Sequence, residues 1–208
     1  VLDFEHAEIL RRKAFLEFDE ADAVRLRQIH ATLQKHSDDF AQALCAHLTA
    51  FEETRCLVGG ADILKRMQDS QSKYFREISE ARYDHDYFRR RQQVGFHHQH
   101  IGLSPEWYLG IYGKYLSVLL PRIRDHFGAD IDGFCATMLA FFKAILLDMS
   151  LTIGAYVQTR DQTIHGLRNY AELVFDSMND SIIVLSPELR IESCNRCCAH
   201  LLGQHSHA

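Results

Sequence analysis

The 208 residues predict an all-α fold with an α/β segment beginning at its C-terminal end, on three observations. Up to about residue 178 the apolar side chains recur at three- and four-residue steps, the period of an amphipathic helix. The chain holds only three prolines, Pro105, Pro121 and Pro187, so few positions deny the backbone a helical hydrogen bond. Near Phe175 the pattern changes, and the β-branched run Ser181 to Ser186 reads as a strand.

The elements follow in order. Residues 5–14 form a short amphipathic helix. Residues 20–35 place Ala23, Leu26, Ile29 and Leu33 on one face of a second. Ser37 or Asp38 is the expected cap of the next, which carries Phe40, Leu44, His47, Leu48 and Phe51 on one side. Gly59-Gly60 is a breaker, Asp62 a cap, and a helix over about 62–79 has Ile63, Met67, Tyr74 and Ile78 among its apolar positions. Tyr83 to Ile101 is the next helix, stopped by Gly102. Ser104-Pro105-Glu106 starts another, with serine at the cap and proline at the first helical position, running to about 124. Pro121 falls where a break is expected.

A long last helix begins near Asp130 and passes Tyr156. From Gln158 to Asn169 it is polar, but Ile164, Leu167, Ala171 and Val174 keep a narrow seam suited to pairing with a second copy. Beyond it come the strand Ser181–Ser186, a turn at Pro187-Glu188, a second strand at Leu189–Ser193, and a helical stretch from Arg196 to Leu202 before Gly203.

Bulk properties exclude some classes. A net charge of −5 gives no electrostatic case for nucleic acid. The two basic runs, Arg11-Arg12-Lys13 and Arg89-Arg90-Arg91, read as solvated helix faces. Val1 to Glu5 lacks the basic-then-apolar order of a signal peptide. The apolar run Met138 to Val157 is interrupted by Lys143 and Asp148, so a buried helix is expected rather than a membrane span. Six cysteines without a disulfide-framework spacing fit reduced thiols in a cytoplasm.

The richest chemistry lies in Val94-Gly-Phe-His-His-Gln-His-Ile-Gly-Leu-Ser-Pro-Glu-Trp-Tyr108. On a helix His97 and His100 share a face, and His98 points about 100° away from His97. The three cannot aim at one point. Zinc held by His97 and His100 would need two further ligands, and none lies at a clear spacing.

The pattern Gly95-x-x-His98-x-x-Ile101-Gly102-Leu103-x-Pro105-x-Trp107-Tyr108-x-Gly110-x-Tyr112 resembles the proximal-histidine segment of globin-coupled sensors. Phe15-Leu16-x-Phe18, Phe40 to Leu48, and Tyr83 to Tyr87 fit the same family's upstream order. The resemblance covers roughly residues 5–158. It implies a globin fold over 1–158, a helical linker over 159–175, and a haem b cofactor with His98 as the iron ligand. Neutral imidazole is the usual globin axial ligand and leaves the sixth position open for a gas. Its second nitrogen needs an acceptor, and a backbone carbonyl near Val94 is the expected one. Tyr108 falls on the family's tyrosine ten residues further on; it also reads as a core aromatic with a hydrogen-bonded hydroxyl.

The distal side departs from the family. Its usual tyrosine falls on Cys45, or on Leu44 with a one-residue shift, and neither donates well. Leu64, Met67, Gln68 and Gln71 line the expected distal helix. Met67 reads as core packing or as a sulfur ligand, and Gln68 or Gln71 as the missing donor. The resemblance further implies a diatomic gas (O₂, CO or NO) or redox state as the signal. It also implies a homodimer through the helices at about 105–124 and 130–158, packed as a four-helix bundle.

Residues 176–208, with Phe175-Asp-Ser-Met-Asn-Asp-Ser-Ile-Ile-Val-Leu, Arg190-Ile, Asn195 and Leu201-Leu-Gly203, resemble the opening of a PAS domain. Cys194, Cys197 and Cys198 then sit at ordinary strand-end and helix positions, and His205 and His207 form a tail. A diguanylate cyclase or histidine kinase is the output such a segment precedes; no catalytic motif occurs in these residues. A haem-free interaction module and a haem enzyme of the peroxidase or NO dioxygenase kind are the competing readings.

Overall fold

The computed structural model describes residues 6–58 and 60–203. The expectations at Val1–Glu5, Gly59, His205 and His207 lie outside the described residues. Helix α1 spans His6–Phe15. The expected helix over 20–35 is two: α2 (Glu20–Gln28) and α3 (His30–Lys35), separated at Ile29, where φ −90° and ψ 1° leave the helical region. Asp19 caps α2 by a reciprocal capping box with Asp22. Leu26, Ile29 and Leu33 are all buried, so the break does not turn the apolar face away from the core.

Helix α4 covers Ser37–Ala50 and α5 covers Glu52–Arg55. His36, not Ser37 or Asp38, occupies the cap position of α4, without a side-chain bond. The Ser37 hydroxyl instead donates back to the Gln34 carbonyl at 2.9 Å. Phe51 ends α4 in extended backbone and is largely exposed, off the apolar face expected for it.

Helix α6 runs Ala61–Glu80, α7 His85–His100 and α8 Pro105–Phe127. Gly60, at φ 106°, sits at the α6 cap, so Asp62 is placed in the first turn rather than at the cap. There its charge still favours the helix N-terminus. Ile63 faces outward. Asp84 caps α7, accepting from the Tyr87 amide at 2.9 Å, so the helix starts two residues later than expected. Gly102 takes φ 79° just after α7, a left-handed stop that glycine adopts freely. Pro121 lies inside α8 and does not end it. Its ring is on the exposed side, where the freed carbonyl one turn back can be solvated.

Helix α9 spans Ile131–Ser177. The chain divides into two units, 1–157 and 158–208, with the boundary inside α9. In the first unit α6 packs on α2, α3 and α4, and α8 on α3 and α4. The α9 run is apolar and long enough to cross a membrane by length and composition alone. Here Ala140, Phe141, Ala144, Ile145, Leu147 and Leu151 are buried in the core of the first unit. The two charges that interrupt the run are both engaged: Lys143 pairs with Asp22 at 2.9 Å, and Asp148 accepts from Tyr87.

In the second unit β1 (Ile183–Leu185) pairs antiparallel with β2 (Ile191–Cys194), and α10 spans Arg196–Leu201. The second strand starts later than expected because Leu189, at φ 58°, belongs to the turn. The turn is closed by the Ser186 amide on the Arg190 carbonyl at 2.8 Å. Asn195 is fully buried and ties the unit together. Its Oδ1 accepts from the Ile182 and Cys198 amides, and its Nδ2 donates to the carbonyls of Phe175, Met178 and Asp180.

Candidate functional site

A cavity of about 360 Å³ opens among α6, α7, α8 and α9. Four of the sequence-predicted residues line it: Gln71 from α6, Val94 and His98 from α7, and Tyr108 from α8. Leu44, Cys45, Leu64, Met67 and Gln68 are not among its lining. Leu44 and Cys45 are buried in α4, while Leu64, Met67 and Gln68 are half-buried on α6. The Cys45 thiol is pushed up by burial, with an opposing hydrogen bond from Gln68.

His98 is half-buried against the cavity; His97, about 100° round α7 from it, also reaches the cavity's edge but is exposed, and His100 is exposed. Burial, with the nearby His97 and Arg91 charges, lowers the His98 pKa to about 4, so the ring is neutral at physiological pH. Its Nδ1 is buried and has no hydrogen-bond partner. The carbonyl expected near Val94 is not bonded to it. The Tyr108 ring lies 5.3 Å from the His98 ring, and its hydroxyl pairs with that of Tyr112 at 2.7 Å. Tyr108 is thus both a buried core aromatic and a neighbour of His98. Burial pushes its phenol up to about 12.

Several residues of the cavity were not anticipated. Arg91, read as part of a solvated run, is buried: it bonds Glu77 at 2.7 Å and lies over the rings of Tyr74 and Tyr87. Burial pulls its guanidinium pKa down, and Asp148, Tyr87, Tyr74 and Glu77 together outweigh that. Arg90 and Lys73 also approach Glu77, at 3.3 and 3.8 Å. Seven residues separate Arg91 from His98, two turns of one helix, and that spacing is the signal that was available. Asp148 is buried, accepts from the Tyr87 hydroxyl at 2.6 Å, and has its carboxyl raised by burial against the opposing pull of Arg91 and Tyr87. Tyr108, Tyr112 and Tyr115 recur along α8 as one buried row, stepping four and then three residues.

Two close contacts fix α7 against α9. A Cβ at Gly95 would lie 2.6 Å from the Thr152 carbonyl oxygen and 2.7 Å from the Ala155 Cβ. Past the end of α7, the Tyr156 hydroxyl donates to the Leu103 carbonyl at 2.8 Å. Among the described residues no group of three or more His, Cys, Asp or Glu side chains is placed to hold a metal ion by itself, and His97 and His100 gain no further ligand from the fold. The six cysteines are free thiols.

Comparison with known proteins agrees with this architecture. The chain is 24% identical over 173 residues to the heme-based aerotactic transducer HemAT of Halobacterium salinarum, covering 79% of this chain. It spans 35% of that relative's length. Among solved structures, the globin domain of a Geobacter sulfurreducens globin-coupled sensor superposes with a TM-score of 0.67 at 19% identity, covering 71% of this chain and 96% of that one. The fold of the first unit is therefore a globin fold. The protoglobin family model matches residues 5–162, well over half of the length, and the chain belongs to the protoglobin family.

Proposed function

We propose that this chain is a haem-based sensor of a diatomic gas, with His98 as the protein ligand of the iron. The observation that carries the reading is the state of His98: it lines the cavity, is held neutral, and keeps an unpartnered buried nitrogen. A neutral imidazole with unspent bonding capacity is what a haem iron takes as its axial ligand. The other residues present fit the group as well. Val94 gives an apolar wall, the Tyr108 ring backs the histidine, and the more exposed Lys73 and Arg90 offer cations suited to propionate carboxylates. Haem b bound there supplies an iron with an open position for O₂, CO or NO. Membership of the protoglobin family and the similarity to the Halobacterium heme-based aerotactic transducer support the same reading.

The proposal extends to signalling. A homodimer through α8 and α9 is favoured by exposed Leu109 and Leu120 on α8 and Leu139, Phe142 and Leu146 on α9, the composition of a four-helix-bundle seam. The Tyr87–Asp148 bond and the Gly95 contact make α9 the recipient of any displacement of the histidine helix. The second unit reads as the start of a PAS domain, with the apolar side chains of Ile183, Val184, Leu185 and Ile191 exposed on both sides of the hairpin. A diguanylate cyclase or histidine kinase is the output proposed for the full-length protein.

Absorption spectra of the purified chain, wild type and His98→Ala, test the core of this. A Soret band that shifts on reduction and with CO, and that is lost or displaced in the variant, is the expected result. A wild type that takes up no haem when haem is supplied overturns the sensor and leaves a globin-like interaction module.

A further inference from the structure

The second unit carries Cys194, Cys197 and Cys198 close together, and the gas-sensor reading gives them no role. By sequence Cys194 and Cys197 make a Cys-x-x-Cys pair, a spacing used by thiols that exchange with disulfides. The fold sorts the three differently. Cys197 is turned to other partners: its thiol donates to the Asn179 carbonyl at 3.0 Å and accepts from the Ser181 hydroxyl at 3.6 Å. Cys198 is buried, and its side-chain partner is the Cys194 thiol.

The backbone holds that second pair together. Cys194 ends β2 opposite Ile183, so strand pairing fixes it. Asn195 then reverses the chain: its Oδ1 accepts from the Cys198 amide at 3.1 Å, and its carbonyl accepts from the Ala199 amide at 3.0 Å. Cys198 is thereby folded back onto the strand end. Two thiols in contact across so fixed a turn can bond with little backbone movement. They are also unequal. Burial, then the neighbouring Cys194 thiol, push the Cys198 thiol up, so Cys198 keeps its proton. Cys194 is only half-buried and is the sulfur that a reagent from solvent meets first.

We propose that Cys194 and Cys198 form a thiol–disulfide exchange site, which takes an intramolecular disulfide from a small disulfide of the glutathione class, with Cys197 outside the bond. Cys194 gives its proton to solvent, and its thiolate attacks one sulfur of the small disulfide. A mixed disulfide forms at Cys194 and the first small thiolate leaves. Cys198 then loses its proton and attacks the Cys194 sulfur, displacing the second small thiolate. Each departing thiolate takes up a proton, so two protein thiols are oxidised and one small disulfide is reduced to two thiols. The new bond closes β2 onto α10 around Asn195, the residue that also ties the end of α9 to the start of β1. Thiol redox state then acts on the second unit directly. The inference goes beyond the gas-sensor reading and does not rest on it.

The test incubates the whole chain in glutathione disulfide and glutathione at rising ratio, followed by acid quenching, alkylation and tryptic digestion without reduction. Cleavage after Arg190 and Arg196 puts Cys194 in residues 191–196 and the other two thiols in residues 197–208. Mass spectrometry of the wild type is expected to find these two peptides joined within one chain, and dithiothreitol to separate them. Cys197→Ala should keep the link at the same ratio. Cys198→Ala should lose it and retain glutathione on Cys194. The Cys197→Ala chain leaves both proposed partners intact, so it decides the pairing even where the buried Cys198 variant does not fold. A link lost in Cys197→Ala, a link found only between chains, or no link at any ratio overturns the inference, and each of these leaves the haem reading standing.

Discussion

The Tyr87 hydroxyl donates to the Asp148 carboxylate at 2.6 Å, a buried bond between the helix bearing His98 and the long helix that leaves the first unit. Both side chains are fully buried. Tyr87→Phe removes the donor while keeping the ring, and strands part of a buried carboxyl. A loss of about 1–3 kcal/mol in urea unfolding is expected. An unchanged midpoint would show that the carboxyl is satisfied without Tyr87.

The same carboxyl gives stability a pH dependence. Burial raises the Asp148 pKa in the folded chain, so between its unfolded and folded values the native state holds a proton that the unfolded state has released. Stability from this group is full below the ordinary Asp range and falls as pH rises through the raised value. Asp148→Asn abolishes that slope. Denaturation midpoints of the two chains measured from pH 4 to 8 should diverge with rising pH, with the variant gaining on wild type.

Glycine placement separates contact from propensity. Gly95→Ala drives a methyl into the Thr152 backbone, and about 1–3 kcal/mol of overpacking should exceed the gain in helix propensity. Gly113→Ala on α8 meets no atom within 4 Å and should stabilise by up to about 1 kcal/mol. Chemical denaturation of the pair should show opposite signs. A Gly95→Ala chain as stable as wild type would mean that the helices can separate at no cost.

Phe142 is 40% exposed between Leu139 and Leu146 on one face of α9. If that face closes the dimer, Phe142→Glu should convert it to a monomer in sedimentation velocity with helicity intact. A wild type that sediments as a monomer at high concentration would remove the four-helix bundle from the proposal.

Asn195→Ala deletes a side chain that serves two amides and three carbonyls. Hydrogen exchange at Ile182 and Cys198 should accelerate by at least about tenfold, since an isolated two-stranded hairpin is marginal in water. Equal exchange in the two chains would place the unit's stability elsewhere.

The helices were legible because their apolar spacing is periodic, and His98 stood out because its neighbours form a long mixed motif; the structure places it on the cavity. What escaped was polar and buried. Asp148 was read as an interruption of an apolar run, although its buried position is made tolerable by Tyr87, 61 residues away in sequence. Arg91 was read as solvated because it ends a basic run, yet Glu77 on the preceding helix draws it inward. Pairings between distant segments leave no periodic trace. The cap positions shifted by one or two residues for a similar reason. Gly60 and His36 take them through backbone conformation, which a preference for side-chain caps does not record.

Asn195 also acts as a length gauge. Its amide reads the carbonyl of Phe175 in the last turn of α9 and those of Met178 and Asp180 just beyond, while its carbonyl reads the amide that leads into β1. The count of residues between helix and strand is thereby fixed. One residue inserted at 179–181 would put a different set of carbonyls opposite the same amide, so this junction tolerates substitution far better than a change of length.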